Sequence, residues 1–203
     1  MFRRVSQLAV GLVLFGLSAA LMIRAELGVD PWTVFSQGLE NVTGLSIGTL
    51  TVLIGVVVLL LWIPLRQRPG IGTVLNILVV GPSLDLGMIW FSPPPELWQR
   101  VLMFALGLVL LAVASGLYIG SHFGTGPRDG LMVGLYMRFG VPIWIGRTSV
   151  EATVLLIGWV LGGDVWFGTI AFAVLIGPLC GFFLPLLAVP QPSTQKSRDQ
   201  SNV

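Results

Sequence analysis

The chain of 203 residues contains one cysteine, Cys180, and one histidine, His122. One thiol forms no internal disulfide, and there is no set of thiolates or imidazoles to hold zinc, an iron–sulfur centre or a multi-histidine metal site. Charge is scarce too. Asp, Glu, Lys and Arg make up 10% of the residues, where a soluble domain carries about 25%. The net charge of +2 is small and its arginines are scattered, so nucleic acid is excluded as a partner. No carboxylates pair at matched depth, and neither a metal set nor a Ser-His pair occurs. An enzyme is therefore not expected, and no cofactor is implied.

Hydrocarbon fills the space that charge leaves. Hydrophobic residues are 55% of the chain, and six apolar runs fall at roughly 5–25, 46–65, 71–91, 99–120, 144–162 and 166–188. Each is long enough as a helix to cross a bilayer core of about 30 Å. Trp62, Trp90, Trp98, Trp144 and Trp166 stand near the ends of these runs, where indole prefers the interface. The expected fold is all-α, a polytopic membrane protein with six transmembrane helices. The polar, proline-flanked stretch 190–203 is expected to be a disordered cytoplasmic tail.

The chain also matches itself at a shift of 96 residues, without a gap. RVSQLAVGLVL (4–14) overlies RVLMFALGLVL (100–110), and LGVDPWTVFSQGL (27–39) overlies FGTGPRDGLMVGL (123–135). GTVLNILVVGP (72–82) overlies GTIAFAVLIGP (168–178). About 23 identities result over 4–86, and glycines and prolines carry the match: Gly28 with Gly124, Pro31 with Pro127, Gly38 with Gly134, Pro82 with Pro178. This divides the chain into a first membrane repeat, 1–98, and a second, 99–189. Three spans per repeat make the two insert with opposite topology, an organisation common among secondary transporters. With a cytoplasmic N-terminus, Arg3, Arg4, Arg66, Arg68, Arg128 and Arg138 lie inside, and Arg24 and Arg100 outside. That obeys the positive-inside rule. The location this implies is a bacterial inner membrane, with both termini cytoplasmic.

Between the first two spans of each repeat lies a segment of another kind, 27–44 and 123–140. Pro31 and Pro127 suit the first turn of a helix, Asp30 suits an N-cap, and Gly44 and Gly140 suit left-handed C-caps. Each segment is expected to be a short helix. It either lies in the interface or re-enters the bilayer with its N-terminal dipole aimed at a solute.

Polar residues at membrane depth supply the candidate site. Arg147 and Glu151 lie four apart on one face of the fifth span and can pair. A carboxylate in a span faces a cavity or a partner by default. Asp85 follows the Gly81-Pro82 step, with Arg24 as a conceivable partner, and Asn76 on the same span also requires one. In GTGPRDG, Arg128 and Asp129 have no charged counterpart in the first repeat, and Gly124 and Gly126 stand at the start of the same short helix. The candidate substrate-binding residues are thus Gly124, Gly126, Arg128, Asp129, Arg147, Glu151 and Asp85. Gly116 and Gly120, a turn apart, offer a close-packing stripe for the repeat interface or for a homodimer.

Four stretches together resemble the YczE/YyaS/YitT group of bacterial integral membrane proteins, and its YczE-like branch above all. They are GVDPWTVFSQGL, WIPLRQRPGIGT, GTGPRDGLMVGL and GRTSVEATVLLIGWVLGGDVWFGT. The resemblance spans nearly the whole chain and implies a multi-pass inner-membrane protein, without importing a reaction. Two functions fit the residues: a carrier for a small solute, anionic or proton-coupled, and a non-transporting accessory or regulatory subunit held by a membrane partner.

Overall fold

The computed structural model describes residues 1–189; the stretch read as a tail, 190–203, lies outside them. Eight helices follow one another: α1 (Phe2–Arg24), α2 (Pro31–Thr43), α3 (Ile47–Leu65), α4 (Ile71–Trp90), α5 (Leu97–Gly120), α6 (Pro127–Phe139), α7 (Ile143–Val160) and α8 (Phe167–Leu187). Among the described residues no strand occurs. Six of the eight, all but α2 and α6, are long and apolar enough to cross a membrane. Their limits fall within about three residues of the apolar runs, because the end of an apolar run and the end of a span have one cause, the edge of the hydrocarbon.

The short helices start and stop as their sequence dictates. Asp30 caps α2, accepting hydrogen bonds from the backbone N–H of Trp32 (3.1 Å) and of Thr33 (3.2 Å). Gly44 and Gly140 end α2 and α6 at φ of 72° and 68°, a left-handed backbone that costs glycine little. The helices α2 and α6 begin at 31 and 127, α3 and α7 at 47 and 143, α4 and α8 at 71 and 167, 96 residues apart in each case.

The helices α1 and α5 form the centre and run antiparallel. Arg4 at the start of α1 donates to the carbonyls of Ser121 and His122 just past the end of α5, at 2.9 and 3.1 Å. Arg100 near the start of α5 pairs with Glu26 past the end of α1, at 2.8 Å. α4 packs on α1, and α8 on α5. Around this centre each short helix packs on a long helix from the other half of the chain, α2 on α7 and α6 on α3. The pairing is size-matched at two places. The Trp62 ring covers Gly130, where a Cβ would stand 2.0 Å from its Cζ2. At the corresponding place Gly158 lies under Val34 and Phe35. Two backbone hydrogen bonds tie the halves in the same reciprocal way: Gly72 N–H to Phe123 C=O (2.9 Å) and Gly168 N–H to Leu27 C=O (2.6 Å).

Neither short helix lies flat on the outside of the bundle. Trp32, one residue into α2, is buried against Ile54 and Val58, which are midway along α3, and against Leu131 of α6. α2 then runs outward to Asn41, whose side-chain amide donates to Gly162 C=O at the far end of α7 (2.8 Å). α6 runs the other way, from Gly126 beside Asn76 of α4 to Gly134 beside Leu65 and Gln67, where α3 ends. At 13 residues each helix is about 20 Å long. They point their N-termini toward each other inside the bundle and their C-termini at opposite ends of it.

Candidate functional site

Where the two N-termini converge, charge collects. Asp30 uses one carboxylate oxygen on the first turn of α2 and the other on the Thr33 hydroxyl. Arg128, the second residue of α6, lays its guanidinium over the Trp32 ring, 4.9 Å from the centroid, and reaches to 3.6 Å from the Asp30 carboxylate. Asp129 accepts from the Tyr118 hydroxyl at 3.1 Å. The Trp62 indole donates to Pro127 C=O at 3.0 Å and anchors the start of α6. On α7, Arg147 Nε donates to Glu151 at 2.9 Å. All of these but Trp62 wall a cavity of about 330 Å³. Its other side is apolar, formed by residues such as Phe15, Leu84, Leu111, Phe172 and Ile176.

Side-chain exposure shows which way the cavity opens. Asp30 is 12% exposed and Arg128 27%, whereas Glu151 is 31% and Arg147 54%. The α2 side is thus the more enclosed and the α7 side the more exposed.

Of the seven residues singled out in the sequence, Gly126, Arg128, Asp129, Arg147 and Glu151 line this one cavity. Gly124 and Asp85 do not. Gly124 turns the chain at φ +127° where Gly70 and Thr73 press against it, a joint between α4 and the approach to α6. Asp85 clamps the start of α3, accepting from the Ser46 hydroxyl at 2.6 Å and from Gly48 N–H at 2.8 Å. Arg24 is not its partner, since that side chain donates to Met88 C=O. Asp85 borders a separate hollow of about 540 Å³ on the flank of α3 and α4, lined otherwise by Thr49 and apolar residues. With its carboxylate already engaged by α3, Asp85 has the geometry of a fastening.

Three cavity residues escape a search for charged motifs. Asp30 looks like a helix cap and is one, yet it also answers Arg128. Tyr118 is one of two tyrosines, buried in a span, and a buried phenol calls for a polar neighbour. Asn76, half-buried, lines the cavity and has no hydrogen-bond partner among the described residues.

Comparison with known proteins gives the chain a family. Residues 2–185 match the family described as "Family of unknown function (DUF6198)". The chain belongs to that family. A Haemophilus influenzae relative described as "Uncharacterized protein" is 40% identical over 187 residues, covering 92% of this chain and 86% of its own. Two Bacillus subtilis relatives confirm the resemblance to YczE and YyaS. The "Uncharacterized membrane protein YczE" is 31% identical, covering 86% of this chain and 82% of its own. The "Uncharacterized protein YyaS" is 26% identical, covering 88% and 90%. No solved structure matches. With six apolar helices and a membrane-protein relative, this DUF6198 member resides in a membrane.

The charge balance limits what the cavity can hold. Three carboxylates, Asp30, Asp129 and Glu151, face two guanidiniums, Arg128 and Arg147. Each helix N-terminus adds about half a positive charge, and two of them point here, so the ionised cavity is close to neutral. An anion entering alone would bring an excess charge into a low-dielectric space, which is costly. An anion entering with a proton would not.

Proposed function

We propose that this protein is a carrier for a small anionic solute moved together with a proton, built as two inverted repeats around the central cavity. The observation that carries the reading is the convergence of α2 and α6, N-terminus to N-terminus, on a charged cavity inside an apolar bundle. Irregular backbone and half-length helices at membrane depth are tolerated where they line a cavity. The antiparallel α1 and α5 support the inverted arrangement: three crossings before α5 reverse its direction relative to α1, and four would not. On this reading α2 and α6 re-enter the bilayer from opposite faces, and no enzymatic step is involved. Arg3, Arg4, Arg66, Arg68 and Arg138 gather at one end of the bundle, which the positive-inside rule makes cytoplasmic, in a bacterial inner membrane.

The roles follow from position. Arg128 and Arg147 attract the anion, Glu151 carries the proton, and Asp30 holds Arg128 when the site is empty. The fastening of Asp85 to Ser46 and Gly48 closes the outer end between α3 and α4, so the cavity is reached from the inner side.

Cys180, the single cysteine, lines the cavity and provides the test. In oriented membrane vesicles a membrane-impermeant maleimide is expected to label it from the cytoplasmic face. In Asp85→Ala, labelling from the outer face rises at least about five-fold. In dye-loaded liposomes under an imposed pH gradient, Glu151→Gln abolishes the proton flux that added inorganic phosphate elicits. Cys180 that is labelled from neither face would sink the carrier. A stable protein partner co-purifying with such a sealed chain would support an accessory subunit instead.

A further inference from the structure

The two halves differ at one crossing. α3 and α4 meet through Gly48 and Gly81, each so close that a Cβ would stand 2.2 to 2.5 Å from the other's carbonyl oxygen. Gly55 rests on Ile77, and Asp85 fastens to Ser46. At the 96-residue shift all of this closure but one glycine is replaced. Ser46 becomes Pro142, Gly48 becomes Trp144, Thr51 becomes Arg147, Gly55 becomes Glu151, and Asp85 becomes Gly181. Only the second glycine persists, as Gly177, and a Cβ on Gly177 or Gly181 would meet nothing within 4 Å. α8 packs on α5 and α7 packs on α2 and α6. A cleft therefore separates α7 from α8 on the lipid-facing flank, and the Arg147–Glu151 pair stands where the first half is sealed by small residues.

We propose that this cleft is a lateral entrance from the bilayer, and that the ligand is an amphiphile whose carboxylate or phosphate head binds at Arg147 and Arg128 while its hydrocarbon tail passes between α7 and α8. The inference rests on the carrier reading and names its substrate class. Three observations favour a lipid-derived occupant. The cavity joins a charged floor to an apolar wall, the shape of an amphiphile and not of a freely soluble ion. Its volume of about 330 Å³ holds about ten non-hydrogen atoms at the density of water, enough for a head and a few carbons, so a longer tail must leave through the cleft. Arg147 holds Glu151 through Nε alone, so its terminal nitrogens remain for an anionic head. The apolar helix of a second copy would fill the cleft without answering that pair, at a desolvation cost.

The test uses the full-length protein in phosphatidylcholine nanodiscs, with 5-doxyl-stearic acid and its uncharged methyl ester as probes read by electron paramagnetic resonance. An immobilised component at least about five-fold larger for the acid than for the ester is expected. Gly177→Trp, which fills the cleft opposite Trp144, and Arg147→Gln, which removes the head site, should each reduce that excess at least about five-fold. Gly177→Ala, which fills nothing, should keep it. Equal immobilisation of acid and ester, or an excess that survives Gly177→Trp, overturns the proposal. So does quantitative disulfide dimerisation of Gly177→Cys in a Cys180→Ser background, which would put a second copy in the cleft. If the acid shows no excess while Cys180 is still labelled from the inner face and proton flux persists, the carrier stands and the lateral entrance falls.

Discussion

Neutralising Asp30 without removing it separates two jobs that one side chain performs. Asn caps a helix as well as Asp does, so Asp30→Asn keeps the acceptor for the Trp32 and Thr33 N–H groups and loses only the charge facing Arg128. Two unit charges 3.6 Å apart attract by about 4–5 kcal/mol at an effective dielectric constant near 20. Desolvation of both groups offsets most of this, leaving a net coupling of about 1–2 kcal/mol. Asp30→Ala also removes the cap, a further cost of about 1 kcal/mol. Arg128→Gln should be worse than Asp30→Asn. It leaves Asp30 and Asp129 facing each other with no cation between them, whereas Arg128 without Asp30 still has Asp129 to attract it. Chemical unfolding of the detergent-solubilised protein, followed by tryptophan fluorescence, gives the four corners of the Asp30→Asn/Arg128→Gln cycle. A coupling below about 0.5 kcal/mol, or equal losses for Asp30→Asn and Asp30→Ala, would refute the reasoning that charge and cap are separable here.

Three further outcomes follow from the packing. Gly81→Ala should destabilise by about 1–3 kcal/mol because its Cβ meets the Gly48 carbonyl, whereas Gly177→Ala at the matching position should be neutral or gain up to about 1 kcal/mol of helix propensity. Unfolding midpoints of the two variants check this, and equal losses would mean that α7 and α8 pack after all. Trp62→Phe leaves the Pro127 carbonyl without its indole donor and should cost about 1–3 kcal/mol, with loosening of α6 seen as faster amide exchange over 128–132. Glu40, on the non-spanning α2, has its carboxyl raised above the ordinary 4.5, first by burial and then by Asp85, with Arg24 opposing. The folded state therefore holds that proton more tightly than the unfolded chain, and the stability it brings fades as pH rises through 4.5 and above. Glu40→Gln should accordingly raise the melting temperature at pH 7 more than at pH 4; a gain that does not depend on pH would refute it.

How much of this was legible in the residues depends on how far apart the cooperating groups lie in sequence. Spans announce themselves locally, since twenty apolar residues and a bilayer have matching lengths. The short helices are just as local: proline opens them and glycine closes them within 14 positions. The Arg147–Glu151 pair is one turn of helix and needs no tertiary knowledge. Asp85 is different, because its partners Ser46 and Gly48 lie nearly forty residues upstream and one of them is a backbone N–H, which no composition reveals. Asp30 and Arg128 are further apart still and meet only because two helices that begin in different halves point at the same spot. A side chain with a visible local duty, such as a cap, hides its second one.

The self-match at 96 residues carried a further message in its mismatches. Identities such as Gly28 with Gly124 and Pro31 with Pro127 mark backbone that both halves must shape alike, so they report architecture. Positions where the halves differ while the backbone recurs report what each half does. Trp32 opposite Arg128 gives one helix start the aromatic face and the other the cation that rests on it, 4.9 Å apart. Trp62 opposite Gly158 gives one short-helix contact a ring and the other a hollow. Thr51 and Gly55 opposite Arg147 and Glu151 give one crossing its closure and the other its charge. If the halves are the two repeats proposed above, identical copies would face each other with like groups, and like charges repel. On the proposed reading of two repeats, divergence where they meet makes the halves complementary there, and the charged cavity falls at positions where the self-match fails.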